Sequence, residues 1–473
     1  MRIARAFLIG MGVLCTACGD EAGGPAAAPG RLSFAVAPSL APLSQVPVPQ
    51  PVGGDISNQQ AAVALGKALF WDVQVSSDGQ VSCGSCHWNA GADDHPVSTG
   101  IVPAVFVAIS PDPSQPADVC APVGSTRRQT SRTAPPAIGA VFFRDNFWDG
   151  RANHIFNDGG AIDNASLASQ AVGPPLSPEM SCAGRPFNGT NSVAAKLVAS
   201  PPLGQPRRPL GTQLVDPNDA VLGALSRFPE PGLNTTYREL IAAAFGTQIA
   251  ADAENHFSRI LAQAIQAYES TLIPDQTPLD RFVAGDPTAL TGQQQLGLNV
   301  FTGKGNCSSC HAGPELSDAT FTFINAMGLI NGDGGDQGFH NIGASPTAAD
   351  LGRAPFSVSG SSFDRGAFKT PALRNVGLTA PYFHDGSRGT LSDVVAFYAR
   401  GGDFANPERA SLIRPLDLST AEIDALVDFL ANGLTDCRVT GSRAPFDHPE
   451  QRLTDGRVIG PFGRQGDPNV ACP

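Results

Sequence analysis

The sequence predicts a mainly α-helical protein built from two small helical domains, with long irregular loops and insertions. Three observations carry that expectation. Apolar residues recur at helical spacing in several short stretches. One unit, a helix followed by a short motif, occurs twice along the chain. The 52 glycines and 41 prolines among 473 residues favour short helices separated by turns. Hydrophobic residues make up 42% of the chain, enough for a proper core, and the length suits about two or three domains.

The helices can be placed in order. Gly66-Lys-Ala-Leu69-Phe70 precedes Cys83-Gly-Ser-Cys86-His87, and Gly297-Leu-Asn-Val300-Phe301 precedes Cys307-Ser-Ser-Cys310-His311. Thr291 and Gln294 form a capping box for the second of these helices. Residues 254–272 read as an amphipathic helix just before a boundary between Pro274 and Pro278. Thr390 with Asp393 starts another, on which Leu391, Val394, Val395 and Tyr398 share one face. Ser419 with Glu422 caps a closing helix that carries Leu426, Val427, Phe429 and Leu430. Stretches 96–133 and 181–245 are Pro-rich and read as irregular insertions.

Both motifs are CxxCH, the attachment pattern of c-type haem. Two thiols add across the haem vinyl groups, and the adjacent histidine is placed to bind iron. A redox CxxC pair or half a zinc site is the bland alternative, which two copies in an exported chain disfavour. Cys83, Cys86, Cys307 and Cys310 are thus expected to hold two covalent haems, with His87 and His311 as proximal ligands. The repeated unit then reads as two cytochrome c-like helical domains, residues 56–276 and 277–440, followed by a tail, 441–473.

The N-terminus predicts export. Arg2 and Arg5 precede an apolar run, Phe7–Leu14, too short to span a bilayer, and small residues lead to Cys18. Thr-Ala-Cys-Gly resembles a bacterial lipobox, which implies a periplasmic protein lipid-anchored through Cys18. Cys15 stands where leucine is usual, so cleavage without lipidation stays open. Residues 19–55 read as a flexible tether. Of the ten cysteines, Cys120, Cys182, Cys437 and Cys472 are left for disulfides. Chain proximity suggests 120–182 and 437–472, but spacing alone does not decide the pairing. A net charge of −12 argues against nucleic acid and anionic membrane surfaces as partners.

Several ordered stretches go further: Phe147-Trp-Asp-Gly-Arg-Ala152, Gln170-Ala-Val-Gly-Pro174, Ser177-Pro-Glu-Met180, Phe339-His-Asn-Ile-Gly343, Phe368-Lys-Thr-Pro-Ala-Leu-Arg-Asn-Val376 and Thr379-Ala-Pro-Tyr-Phe-His-Asp-Gly386. Together they resemble the bacterial di-haem cytochrome c peroxidase family, which includes the methylamine dehydrogenase maturation enzyme MauG. The resemblance covers most of residues 56–436. It implies a peroxidatic N-terminal haem, an electron-entry C-terminal haem, hydrogen peroxide as substrate, and a small cytochrome c or cupredoxin as donor. It implies Glu179 as distal acid–base group, Gln170 as a distal-pocket amide, and Trp148 as the ring between the haems. His95 lies nearer to His87 than the family's mobile distal histidine, so it reads as a loop residue. The first iron is then expected to be five-coordinate or water-bound.

The family also implies calcium at two backbone carbonyls, here Thr379 and Pro381, with Thr133 at a position usually held by an amide. The peroxidases place a methionine second ligand fourteen residues after the histidine of PYFHDG; here that residue is Tyr398. Met180 and Met327 are the methionines of the folded region, and neither suits the role. MauG-like members carry tyrosine there, and an oxygen ligand stabilises ferric and higher oxidation states. Tyr398 is therefore the expected second ligand, with His340 or water as alternatives. A peroxidase and a MauG-like oxidase acting on a protein or organic substrate are the two competing functions. A pure electron carrier is disfavoured by Glu179 and Gln170.

Overall fold

The computed structural model describes residues 38–76, 79, 81–88, 90–93, 130–177, 180, 186–188, 192–198, 208–452 and 457–472. The predicted signal, Cys18, His95, Cys120, Glu179 and Cys182 lie outside the described residues.

Helix α1 (Gln59–Trp71) starts at Asn58, whose side chain accepts the Ala61 N–H. Helix α2 (Cys83–Cys86) is the first haem motif itself. Then follow α3 (Ser166–Ala171), α4 (Val193–Val198), α5 (Tyr237–Phe245), α6 (Thr247–Ala251) and α7 (Phe257–Glu269). Gly66 lets α1 lie directly on α7: a Cβ there would stand 1.8 Å from the Ala264 carbonyl oxygen. Beside that crossing Phe70 meets Tyr268 edge to face, ring centroids 5.4 Å apart. Leu65, Leu69, Ile241, Leu261 and Ile265 fill the surrounding core.

The second half repeats the device. Helix α8 (Pro278–Val283) leads into α9 (Gly292–Thr302), capped by Thr291 and Gln294 as the sequence predicts. Helices α10 (Phe321–Met327), α11 (Leu391–Ala399) and α12 (Thr420–Asp428) follow. The Thr390/Asp393 and Ser419/Glu422 boxes open α11 and α12. A π-helical turn, Phe429–Gly433, prolongs α12. Gly297 sits where a Cβ would be 2.1 Å from the Ala425 carbonyl oxygen, and Phe301 packs on Phe429 at 5.6 Å. This half has its own core, including Leu279, Val300, Leu426 and Phe429. The G-x-x-x-F repeat is thus a pair of close helix crossings. Glycine lets the backbones touch, and phenylalanine fills the space one turn on.

Among the described residues the strands are three short antiparallel pairs: β1 (Phe156–Asn157) with β2 (Ala161–Ile162), β3 (Phe339–His340) with β4 (Phe368–Lys369), and β5 (Gln451–Arg452) with β6 (Val458–Ile459). The β3–β4 pair matters most, because it joins two of the motif stretches.

Three expectations are corrected. The tether does not extend to residue 55. Leu43 is 1% exposed and its N–H donates to Asp280, which Arg374 also holds at 2.7 Å. Residues 181–245 are not wholly irregular, since α4 and the capped α5 lie within them. The tail after 440 is not an appendage. Helix α13 (Cys437–Thr440) begins at a disulfide, Cys437–Cys472, with Cα atoms 5.2 Å apart. From there the chain returns to the first half, where Val439 and Phe446 join its core. Asp447 and Asp219 both meet the fully buried Lys67, at 3.4 and 2.8 Å. His448 stacks on Trp71 with centroids 4.8 Å apart.

Candidate active site

The second motif opens onto a cavity of about 210 Å³. Cys307, Cys310 and His311 line it, and so do Tyr398, Leu391, Val394 and Val395 from α11. The predicted apolar face of α11 is therefore a cavity wall. Trp148, His340, Thr133, Thr379 and Pro381 also line it. So does Ala92, from the loop just after the first motif. The structure thus brings together, in one place, the second CxxCH and six residues singled out from sequence: Tyr398, Trp148, His340, Thr133, Thr379 and Pro381.

Both motif histidines are set for iron. The His87 Nδ1 lies 2.8 Å from the Gly91 carbonyl oxygen, and the His311 Nδ1 lies 3.1 Å from that of Pro371 and 3.2 Å from that of Leu316. A carbonyl only accepts, so Nδ1 carries the proton and Nε2 keeps its lone pair, the tautomer a metal-bound imidazole needs. Burial lowers the affinity of both rings for a further proton, which keeps them neutral. None of the four cysteines is in a disulfide, and burial pushes Cys83 and Cys307 up to about 12. A thiol so protonated is a poor disulfide-exchange nucleophile, which disfavours the redox CxxC reading. Paired thiols, a neutral buried imidazole and an apolar cavity fit c-type haem. Among the described residues the one His/Cys/carboxylate trio, Cys310, Asp318 and His340, shares a cysteine with this motif and is no separate metal centre.

Tyr398 is another polar group of the cavity. Its hydroxyl has no hydrogen-bond partner among the described residues. Burial raises its pKa, and the Cys310 and Cys307 sulfurs add to that. His340 is less available: its Nε2 is 2.7 Å from the Asp318 carboxylate. Burial opposes its protonation, but Cys310 and Asp318 outweigh that and raise its pKa well above the ordinary value. Of the two, Tyr398 is the uncommitted donor atom.

Trp148 is fixed at both ends. Its indole N–H donates to the Thr133 carbonyl at 3.0 Å, and its own carbonyl accepts from Lys369 N–H at 2.8 Å. His384 lies 6.5 Å from its ring and stacks on Phe368 at 3.6 Å. The Thr133 hydroxyl donates to the Phe383 carbonyl at 3.0 Å. Thr133, Thr379 and Pro381 present uncharged oxygens, while the neighbouring Arg132 is already held by Asp149 and Asp350. Such a set suits a hard cation that keeps several waters.

Around the first motif, several distant parts of the chain pack together. Gly84 lies on Trp71, where a Cβ would be 2.4 Å from the ring. Gln451 of the tail donates to the Ser85 hydroxyl at 2.9 Å, and Arg457 covers the Trp88 ring at 4.9 Å. Gln170 is half-buried near the end of α3, and its neighbours Ala171 and Val172 pack on the same core as Cys83 and Cys86. No hydrogen bond joins Gln170 to the motif among the described residues. Met180, next to Glu179, is buried in that core as well.

Two residues escaped the sequence reading. Glu269, at the end of α7, is 3% exposed, one of its carboxylate oxygens has no hydrogen-bond partner among the described residues, and burial pushes it up to about 8. It lies close enough to Cys83 to raise that thiol. Its signal was a carboxylate four residues after Ile265, on an otherwise apolar helix face. The other is Lys369, buried at the second cavity.

Comparison with known proteins agrees with this geometry. The family model for di-haem cytochrome c peroxidase matches residues 60–288. Cytochrome c551 peroxidase of Pseudomonas aeruginosa is 31% identical over 357 residues, 74% of this chain and 75% of that one. The chain belongs to the di-haem cytochrome c peroxidase and MauG family. Other members of the family show the same breadth. The cytochrome-c peroxidase IdrP1 of a Pseudomonas strain is 29% identical across 83% of this chain and 85% of its own. The methylamine utilization protein MauG of Methylorubrum extorquens is 28% identical across 81% and 80%. A crystal structure of a MauG-like protein associated with microbial copper homeostasis has the same fold, with a TM-score of 0.56 at 22% identity, covering 89% of this chain and 98% of that one. This di-haem enzyme is accordingly an oxidoreductase with haem c cofactors and a peroxidase or MauG-like activity.

Proposed function

We propose that the enzyme reduces hydrogen peroxide to water at the haem held by Cys83, Cys86 and His87. Electrons enter through the haem held by Cys307, Cys310 and His311. The observation that supports this best is that Trp148 and Ala92 line the second motif's cavity. The same loop carries Gly91, whose carbonyl accepts the hydrogen bond from His87 Nδ1–H, so one loop reaches from the first motif to the second motif's cavity.

When bound, the haems would supply electron transfer and redox chemistry toward peroxide. The chain supplies the rest. His87 and His311 offer Nε2, with Nδ1 anchored on carbonyls. Glu179 takes a proton from the near oxygen of peroxide and returns it to the leaving oxygen. Gln170 orients the bound peroxide through its amide. Two electrons and two protons then turn each peroxide into two waters. Trp148 offers a rigid aromatic step between the motifs, and a small donor protein supplies the electrons.

Steady-state turnover with peroxide and reduced cytochrome c tests the reading. Glu179→Gln should slow the reaction with peroxide by about 10²–10⁴-fold; an unchanged rate would remove its acid–base role. Tyr398 favours a second reading, a MauG-like oxidase that stores oxidising equivalents and passes them to a protein or organic substrate. No turnover of cytochrome c, with a peroxide-oxidised holoenzyme that persists for minutes, would select it. Calcium at Thr379 and Pro381 belongs to the same proposal, and chelation should then slow electron exchange between the haems. A periplasmic setting, with a lipid anchor at Cys18, rests on the export signal; labelling with a radioactive fatty acid, lost in Cys18→Ser, would test the anchor.

A further inference from the structure

Lys369 is 5% exposed. Its ammonium stands 3.1 Å from the centroid of the Phe143 ring. No oxygen of the described residues accepts a hydrogen bond from it, and none of their carboxylates pairs with it. The nearest carboxylate to act on it is Asp145, which Arg353 and His154 already hold at 3.2 and 3.3 Å. Its backbone is locked: the N–H donates to the Trp148 carbonyl, and β4 pairs with β3 at Phe339. The side chain therefore has little freedom to turn outward.

A buried ammonium is costly unless an anion meets it. The ring of Phe143 offsets only part of that cost. Without an anion, burial drags the lysine down to about 7. The same side chain lines the cavity that holds Cys307, Cys310 and His311. A haem held there would carry two propionate carboxylates.

We propose that the Lys369 ammonium is the counter-ion of a propionate of the haem attached at Cys307 and Cys310. This rests on the second motif carrying haem. A positive charge there disfavours the ferric state and keeps the propionate ionised at neutral pH. Because the Lys369 backbone is bonded to Trp148, the contact also ties the haem edge to the aromatic step between the motifs.

Spectroelectrochemical titration of the holoprotein across the neutral pH range tests this, following each haem by its own absorbance. In Lys369→Met the second haem should shift to lower potential. Its potential should also become pH-dependent near neutrality as the unpaired propionate titrates. The first haem should not shift, and Lys369→Arg should restore the wild-type curve. A Met variant with both haems present and an unchanged curve overturns the proposal. A Met variant that loads no second haem moves the same reading to Lys369→Gln. A wild-type protein with haem at Cys83 and Cys86 only would instead sink the reading of the second motif, and the proposal with it.

Discussion

Glu269 shows what a single buried group does to the whole protein. Its folded pKa of about 8 lies above the ordinary 4.5. Ionisation is therefore easier in the unfolded chain, and the folded state is penalised as pH rises. The penalty is absent below about pH 4.5, grows through the window up to about 8, and is constant above it. Its ceiling is about 5 kcal/mol by linkage. Glu269→Gln should flatten that part of the stability–pH curve and raise the denaturation midpoint at pH 8; an unaltered slope would mean the carboxyl is solvated. Tyr398 makes a different claim. Its uncommitted hydroxyl at the second cavity implies that Tyr398→Phe alters the absorption and EPR spectra of the ferric second haem and leaves those of the first. Identical spectra would return the ligand role to water or His340.

The helix crossings carry the next level. At Gly66 and Gly297 the partner backbone is so near that an added methyl would overlap a carbonyl oxygen. Rigid helices cannot absorb that without separating, and separation opens the core on both sides. Gly66→Ala and Gly297→Ala should each lower stability by on the order of 3 kcal/mol. Gly292→Ala on the same α9 meets nothing within 4 Å and should be close to neutral. Chemical denaturation of the three variants checks the contrast. A Gly66 variant as stable as the Gly292 one would show that α1 and α7 can part freely.

The tail acts on the whole molecule. It starts beside the second half, meets the first motif partway along at Gln451, and is closed back on Cys437 by a disulfide across 35 residues. A loop of that length contributes about 4 kcal/mol in the chain-entropy account. Cys472→Ser should lower thermal stability and loosen Gln451 from Ser85 and His448 from Trp71. Hydrogen exchange at Trp71 and residues 83–86 should then quicken, with little change at α9 and α12. Uniform loosening, or none, would show that the tail does not brace the first motif.

Short-range chemistry was legible in the residues alone. The paired CxxCH motifs, the capping boxes and the G-x-x-x-F repeat depend on neighbours within a few positions, and each stands where the residues put it. The family motifs pointed to Tyr398 and Trp148 in the same way. The partner of each glycine, the return of the tail to Lys67 and Trp71, and the burial of Glu269 and Lys369 were not legible. Each depends on residues far apart in the chain meeting in space, and burial sets the charge of a group more than its identity does. Asp280 joins Leu43 to Arg374 for the same reason: an ion pair out of water draws in whatever donors folding brings to it.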